Sequence, residues 1–189
     1  HTLEFAGEKY VLRSVPSGIF QGDKINIIGN GVVLDPVLFR EEVESLFNSG
    51  HPLKDRLVIS RKAHLILPTH RLLDAAGEKA LGAQKVGTTG KGIGPTYTDK
   101  VRVGDIEGDF EANYKRAKER HLGMLHGMGV EVPDLTQAEA DFFAAVEYLR
   151  QFRFVDSEFV INNTLRSGKN ILAEGAQGSM LDIDFGSYP

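Results

Sequence analysis

The residues best suited to chemistry sit in one run, Gly87-Thr88-Thr89-Gly90-Lys91-Gly92-Ile93-Gly94-Pro95. Its four glycines let backbone N–H groups come close to a ligand, and its threonines and lysine add donors for a phosphate or another oxyanion. It is not a Walker A loop, which needs a longer gap between its glycines and a Ser or Thr after the lysine. Here Gly92 follows Lys91. A flexible surface loop is the alternative that the same composition allows.

A second run, Gly175-Ala176-Gln177-Gly178-Ser179, precedes Leu181-Asp182-Ile183-Asp184. A glutamine on such a turn can hydrogen-bond a base edge or a phosphate. Asp182 and Asp184 would share one face of a strand and could bind a metal, although capping or turn formation is the preferred reading of both. The histidines, His1, His51, His64, His70, His121 and His126, show no HxH or HxxxH spacing, so no zinc site is expected. Lys115, Arg116, Lys118 and Arg120, with Glu119 between them, read as a solvated helix face rather than a nucleic-acid contact.

The elements that must position these loops alternate along the chain. A hairpin flanks Ala6-Gly7-Glu8-Lys9, and a strand at Ile25-Asn26-Ile27-Ile28 ends in Gly29-Asn30-Gly31. Asp35 and Pro36 signal a helix start, Gly50 marks its end, and Phe39, Val43, Leu46 and Phe47 form its apolar face. Strands are expected at 57–60 and 64–67. Pro68-Thr69 opens a helix to about Ala80, with Leu72, Leu73, Ala76 and Ala80 inward. Thr136 and Glu139 match a capping box ahead of a stripe at Phe142, Val146 and Leu149. A last helix is expected from about Ser157 to Arg166, ending at Gly168, and Asn170-Ile171-Leu172-Ala173 is a final strand. Strand, loop, helix, strand is the order of α/β folds, whose ligand loops lie at strand C-termini.

Composition narrows the class. The 189 residues are 41% hydrophobic and 25% charged, contain no cysteine, and carry a net charge of −4. That balance speaks against nucleic-acid binding and against a polybasic membrane surface. Disulfides, thiolate catalysis and Cys-ligated zinc are excluded. No apolar run approaches the ~18 residues that cross a bilayer, and the first residues have no signal-peptide pattern. Cytoplasmic location is the expectation. A start at His1 and a stop after Tyr188-Pro189 suggest part of a longer protein.

Two segments carry a resemblance. Gly87 to Lys100, GTTGKGIGPTYTDK, and Glu174 to Pro189, EGAQGSMLDIDFGSYP, resemble signatures of the adenylosuccinate synthetase family. HTLEFAGEK at the start, PSGIF at 16–20 and IIGNGVVLDP at 27–36 resemble the same family in the same order, and only 106–155 is weaker. The resemblance implies a GTP-dependent ligation of IMP and L-aspartate through a 6-phosphoryl-IMP intermediate, with Mg²⁺ as cofactor, in a homodimer. It implies that His1 is the general acid at the oxygen being phosphorylated and also touches IMP. His1 and Thr2 would contact the GTP phosphates, Thr89 the IMP phosphate and Gln177 IMP, and Lys100 is the signature lysine. A non-ligating nucleotide-binding homologue and a purely structural helical module are the competing readings. The glycine-rich segments argue against the second.

The sequence departs from the family pattern in one place. An arginine usually stands three residues beyond the lysine, whereas Arg102 lies two beyond Lys100. A few residues that usually intervene are absent, including an arginine that reaches the IMP of the other subunit. Arg102 resembles a later arginine, and that role is not assigned to it. By the resemblance, the phosphate loop and most Mg²⁺ ligands precede His1, while the guanine and aspartate sites follow Pro189. Residues 1–189 alone are therefore expected to be inactive. The expected architecture is α/β, a mostly parallel central sheet flanked by helices and P-loop-NTPase-like. Residues 1–60 and 156–189 would belong to the sheet domain, and 61–155 would form a mainly helical insertion carrying the GTTGKGIGP loop.

Overall fold

The computed structural model describes residues 2–5, 7–82, 87–175 and 178–187. His1 and Gln177, two of the expected site residues, lie outside them. Two short strands, β1 (Thr2–Phe5) and β2 (Glu8–Val11), pair antiparallel as the expected hairpin. The central sheet is parallel in the order β3-β5-β7, with β3 at Asn26–Ile28, β5 at Leu57–Ser60 and β7 at Arg153–Val155. All four residues of β5 are buried, as expected of a central strand covered on both faces. Beside it, β4 (Val33–Leu34) pairs parallel with β6 (His64–Leu65).

Helix α1 (Pro36–Asn48) starts where its signals place it. The Asp35 carboxylate accepts from the N–H groups of Val37 and Leu38 at 3.0 and 3.2 Å. Phe39, Val43 and Leu46 are buried, but Phe47 is 65% exposed. At about 100° per residue, Phe47 falls just past one side of the buried arc, while Glu42 occupies the other. Glu42 is buried because it has work to do there. Its carboxylate accepts from the backbone N–H groups of Arg13, Ser14 and Val15 at 2.7, 3.0 and 3.2 Å. These bonds tie the segment after the hairpin onto α1, beside buried Leu12 and Val15.

The remaining helices are α2 (Pro68–Leu81), α3 (Ile93–Asp99), α4 (Phe110–Gly127), α5 (Thr136–Leu149) and α6 (Ser157–Arg166). Phe142, Val146 and Leu149 of α5 join Phe39, Val43 and Leu46 of α1 in the main core, as their spacing predicts. A smaller cluster places Leu73 and Ala76 of α2 on Leu125 of α4, with Leu72 partly buried beside them. Ala80 is exposed, contrary to expectation, because it lies beyond this contact.

Two further local expectations fail. Thr136 and Glu139 form no capping box: both the N–H and the hydroxyl of Thr136 donate to Asp134, at 2.9 and 2.6 Å. Glu139 turns instead to the Tyr114 hydroxyl and to Lys118. A charged acceptor two residues away has outcompeted the reciprocal cap. Residues 170–173 form no strand, and Leu172 is 92% exposed. Strand backbone needs a hydrogen-bonding neighbour, and no described strand lies beside this one. Residues 181–184 take the preferred turn reading rather than a strand: a 3₁₀ turn at Ser179–Leu181 is followed by a turn.

Candidate functional site

The glycine-rich loop runs into α3, and α3 is seated on α2. The N–H of Gly92 donates to buried Asp74 at 2.8 Å, and the Thr96 hydroxyl lies 2.7 Å from the Gly92 carbonyl. Gly92 has φ +81°, and a Cβ there would come within 2.9 Å of the His70 carbonyl carbon. This glycine therefore serves the approach of α3 to α2 rather than a ligand. Ahead of it, Thr88, Thr89, Gly90 and Lys91 are exposed and open to solvent. Behind α3, Lys100 is exposed and adopts φ 54°, the one positive φ among the described non-glycine residues. One loop-and-helix unit thus carries Thr89 before α3 and Lys100 after it. Thr2 lies elsewhere, exposed on β1 of the hairpin.

Underneath α3 is a polar cluster that local sequence patterns did not reveal. His70, at the start of α2, accepts the Leu67 N–H on Nδ1 at 3.0 Å. A backbone N–H can only donate, so this neutral ring carries its proton on Nε2, 3.0 Å from Asp99 Oδ2. His121 of α4 brings its Nε2 to the same oxygen at 2.6 Å, while its Nδ1 meets the Thr69 hydroxyl at 2.7 Å. Arg120 donates to Asp99 Oδ1 at 2.6 Å. Burial pushes His70 down to about 4, against the pull of Asp99, and burial lowers His121 as well. Burial works to raise Asp99, but the His70 hydrogen bond and the His121 and Arg120 charges outweigh it and hold the carboxyl below its usual range.

His70, Asp99 and His121 place possible ligand atoms within 4.8 Å of one another. The set does not fit a metal. The Leu67 bond leaves the His70 lone pair on the wrong nitrogen, and Arg120 already neutralises Asp99. Mg²⁺, which prefers oxygen ligands, would find two imidazoles in its shell.

The third part of the site is the 178–187 loop, which lies over the C-terminal ends of β3 and β5. Asn30, just after β3, donates to Asp182 at 3.4 Å and to Asp184 at 3.2 Å. Lys62, just after β5, holds its ammonium 5.2 Å from the Phe185 ring centroid. Arg102 donates to Asp184 Oδ1 at 2.8 Å, and Asp182 accepts from the N–H groups of Asp184 and Phe185. The two aspartates are therefore turn and loop anchors, the preferred sequence reading, with their oxygens already engaged. The Tyr97 hydroxyl donates to the Gly31 carbonyl at 2.5 Å, so α3 reaches the same strand end. His64 stacks edge-on to Tyr97, fully buried, and neither of its ring nitrogens has a hydrogen-bond partner among the described residues. Burial and the Arg102 charge lower its pKa, and the neutral ring behaves as an apolar packing group.

The chain is similar throughout to known proteins. Residues 1–189 match the family profile of adenylosuccinate synthetase. A curated relative of that name from Porphyromonas gingivalis is 68% identical over 194 residues, covering 100% of this chain and 46% of its own length. One from Bacteroides thetaiotaomicron is 67% identical with the same coverage. Both alignments run longer than the 189 residues of the chain, so each relative carries residues without a counterpart here. A solved structure, fully ligated adenylosuccinate synthetase from Plasmodium falciparum, superposes with TM-score 0.76 at 34% identity, covering 100% of this chain and 45% of that one. The chain spans about half the length of the curated relatives it matches.

Proposed function

The chain belongs to the adenylosuccinate synthetase family, and we propose that its 87–100 unit holds IMP in an enzyme that ligates IMP to L-aspartate at the expense of GTP. The observation that carries this reading is that one anchored helix is flanked by Thr89, in the loop ahead of it, and Lys100, directly after it, within a segment that resembles a family signature.

The chemistry explains why such a unit is needed. The 6-oxygen of IMP is a poor leaving group. Transfer of the γ-phosphoryl group of GTP to that oxygen, with release of GDP, gives 6-phosphoryl-IMP. The aspartate amine then attacks C6, and inorganic phosphate leaves with the oxygen. In this reading His1 acts as the acid hydrogen-bonded to O6, a role suited to a side chain with an ordinary pKa near 6.5. His1 and Thr2 also contact the GTP phosphates. Thr89 donates its hydroxyl to the IMP phosphate, Gln177 holds IMP, and the Lys100 ammonium offsets negative charge in the site. The transfer depends mainly on positioning and charge neutralisation.

Mg²⁺ is the cofactor in this reading, where it neutralises phosphate charge. Among the described residues, Asp182, Asp184 and Asp99 are taken up by protein donors and do not supply its cage. A cytoplasmic homodimer is the proposed setting. No described helix is long and apolar enough to cross a membrane.

The test is an assay of the intact protein with IMP, L-aspartate, GTP and Mg²⁺, beside a His1→Asn variant and the 1–189 segment. Adenylosuccinate, GDP and phosphate are expected in equal amounts from the intact protein and none from the segment. Absence of adenylosuccinate from the intact protein sinks the proposal, and full activity in His1→Asn removes the role given to His1.

A further inference from the structure

A helix as short as α3, with seven residues, has little stability of its own, so its placement comes from what grips it. One histidine meets it at both ends. At the N-terminal end the His70 backbone is the surface on which Gly92 rests, and one turn further in the Thr96 hydroxyl, which donates to the Gly92 carbonyl, packs 2.8 Å from His70 Nδ1. At the C-terminal end, His70 Nε2 donates to Asp99, which His121 and Arg120 also hold. The His70 and His121 side chains are 0% and 1% exposed, so these bonds do not compete with water.

Immediately after this anchored aspartate comes Lys100, in a left-handed conformation that strains a non-glycine residue. Such strain persists where the surroundings over-determine the backbone. Here the preceding residue is held from three directions, by α2 and by two neighbouring side chains of α4. We propose that His70, acting through Asp99, is a positioning residue that sets Lys100 and the 87–92 loop in their geometry toward IMP. This rests on the ligase reading above. It assigns a function to a cluster that a metal does not fit, and it explains why a partly buried carboxylate stands directly beside the signature lysine.

Kinetics of the intact enzyme test it, with IMP and GTP varied separately. His70→Asn keeps an acceptor for the Leu67 N–H and so preserves the start of α2, but it is too short to reach Asp99. Asp99→Ala removes the link, and Asp99→Asn restores part of it. The expected result is a loss of roughly ten- to a hundredfold in kcat/KM for IMP in His70→Asn and Asp99→Ala, with KM for GTP within about twofold. Asp99→Asn should fall between Asp99→Ala and wild type. A merely structural role lowers the amount of active enzyme, which reduces kcat while leaving both KM values unchanged. That pattern, or wild-type kcat/KM for IMP in His70→Asn, overturns the inference. If wild type itself forms no adenylosuccinate, the ligase reading fails and takes the inference with it. If wild type turns over and the variants match it, only the inference fails.

Discussion

Gly92→Ala separates two explanations for the glycines of the 87–95 run. If the glycines exist to admit a ligand, substitution at 90, 92 or 94 should spare the fold and affect binding alone. The structure makes the positions unequal. At Gly92, φ +81° costs an alanine about 1 kcal/mol, and its Cβ would lie 2.9 Å from two His70 atoms and 3.0 Å from the Arg71 nitrogen. Two of those three atoms are helix backbone, so the overlap cannot be relieved by a rotamer change. Adding about 1–3 kcal/mol for overpacking gives about 2–4 kcal/mol in all. Gly90, at φ +65° with nothing near its Cβ position, should lose only the conformational term of about 1 kcal/mol. Gly94 lies inside α3 with open space, so Gly94→Ala should be neutral or gain up to about 1 kcal/mol. Urea unfolding of the intact protein, combined with amide exchange at Thr96 and Lys100, reads the series. Gly92→Ala should speed exchange at those amides roughly thirty- to several-hundredfold, because each 1.4 kcal/mol of local opening is tenfold. If Gly92→Ala is no less stable than Gly90→Ala and leaves exchange unchanged, the steric argument is wrong.

Three further outcomes are expected. Glu42→Ala strands three backbone donors and should cost about 3–5 kcal/mol, whereas Glu42→Gln keeps one acceptor oxygen and should cost about 1–2, both read as urea midpoints. Acid should weaken the fold early. His70 sits at about 4 against an ordinary 6.5, so its contribution is full above pH 6.5 and is lost as pH falls from there toward 4, up to about 3 kcal/mol. Asp99, held below its usual range, adds a loss only at lower pH, and His70→Asn should flatten the slope between 6.5 and 4 in a pH series of urea unfolding. Thr89→Ala, on the proposed function, should raise KM for IMP about tenfold and leave KM for GTP unchanged in steady-state kinetics.

What could be read directly from the chain was set by neighbours a few residues apart. The start of α1 follows from Asp35 and Pro36, because a cap needs only the next two or three N–H groups. The hairpin, β3, β5 and α6 were legible for the same reason. The strand expected at 170–173 was not formed, since its apolar pattern needs a neighbouring strand that the described residues do not provide. The capping box at Thr136 failed to a competitor, Asp134, that lay outside its four-residue motif.

The site divides along the same line. Residue types alone marked the 87–95 run and residues 175–184 as candidates and left a flexible surface loop open for the first, while the resemblance extended them to 87–100 and 174–189. The sequence also excluded thiolate chemistry by these 189 residues, which contain no cysteine. Only the tertiary structure joined His70 to Asp99 across 29 residues, and Thr69 to His121 across 52. No periodicity in the chain encodes those distances; they arise when α2, α3 and α4 pack. Packing likewise decided that Gly92 serves a helix contact and that Asp182 and Asp184 serve a turn, because whether a polar or flexible residue is free for a ligand depends on what else the fold has placed within its reach.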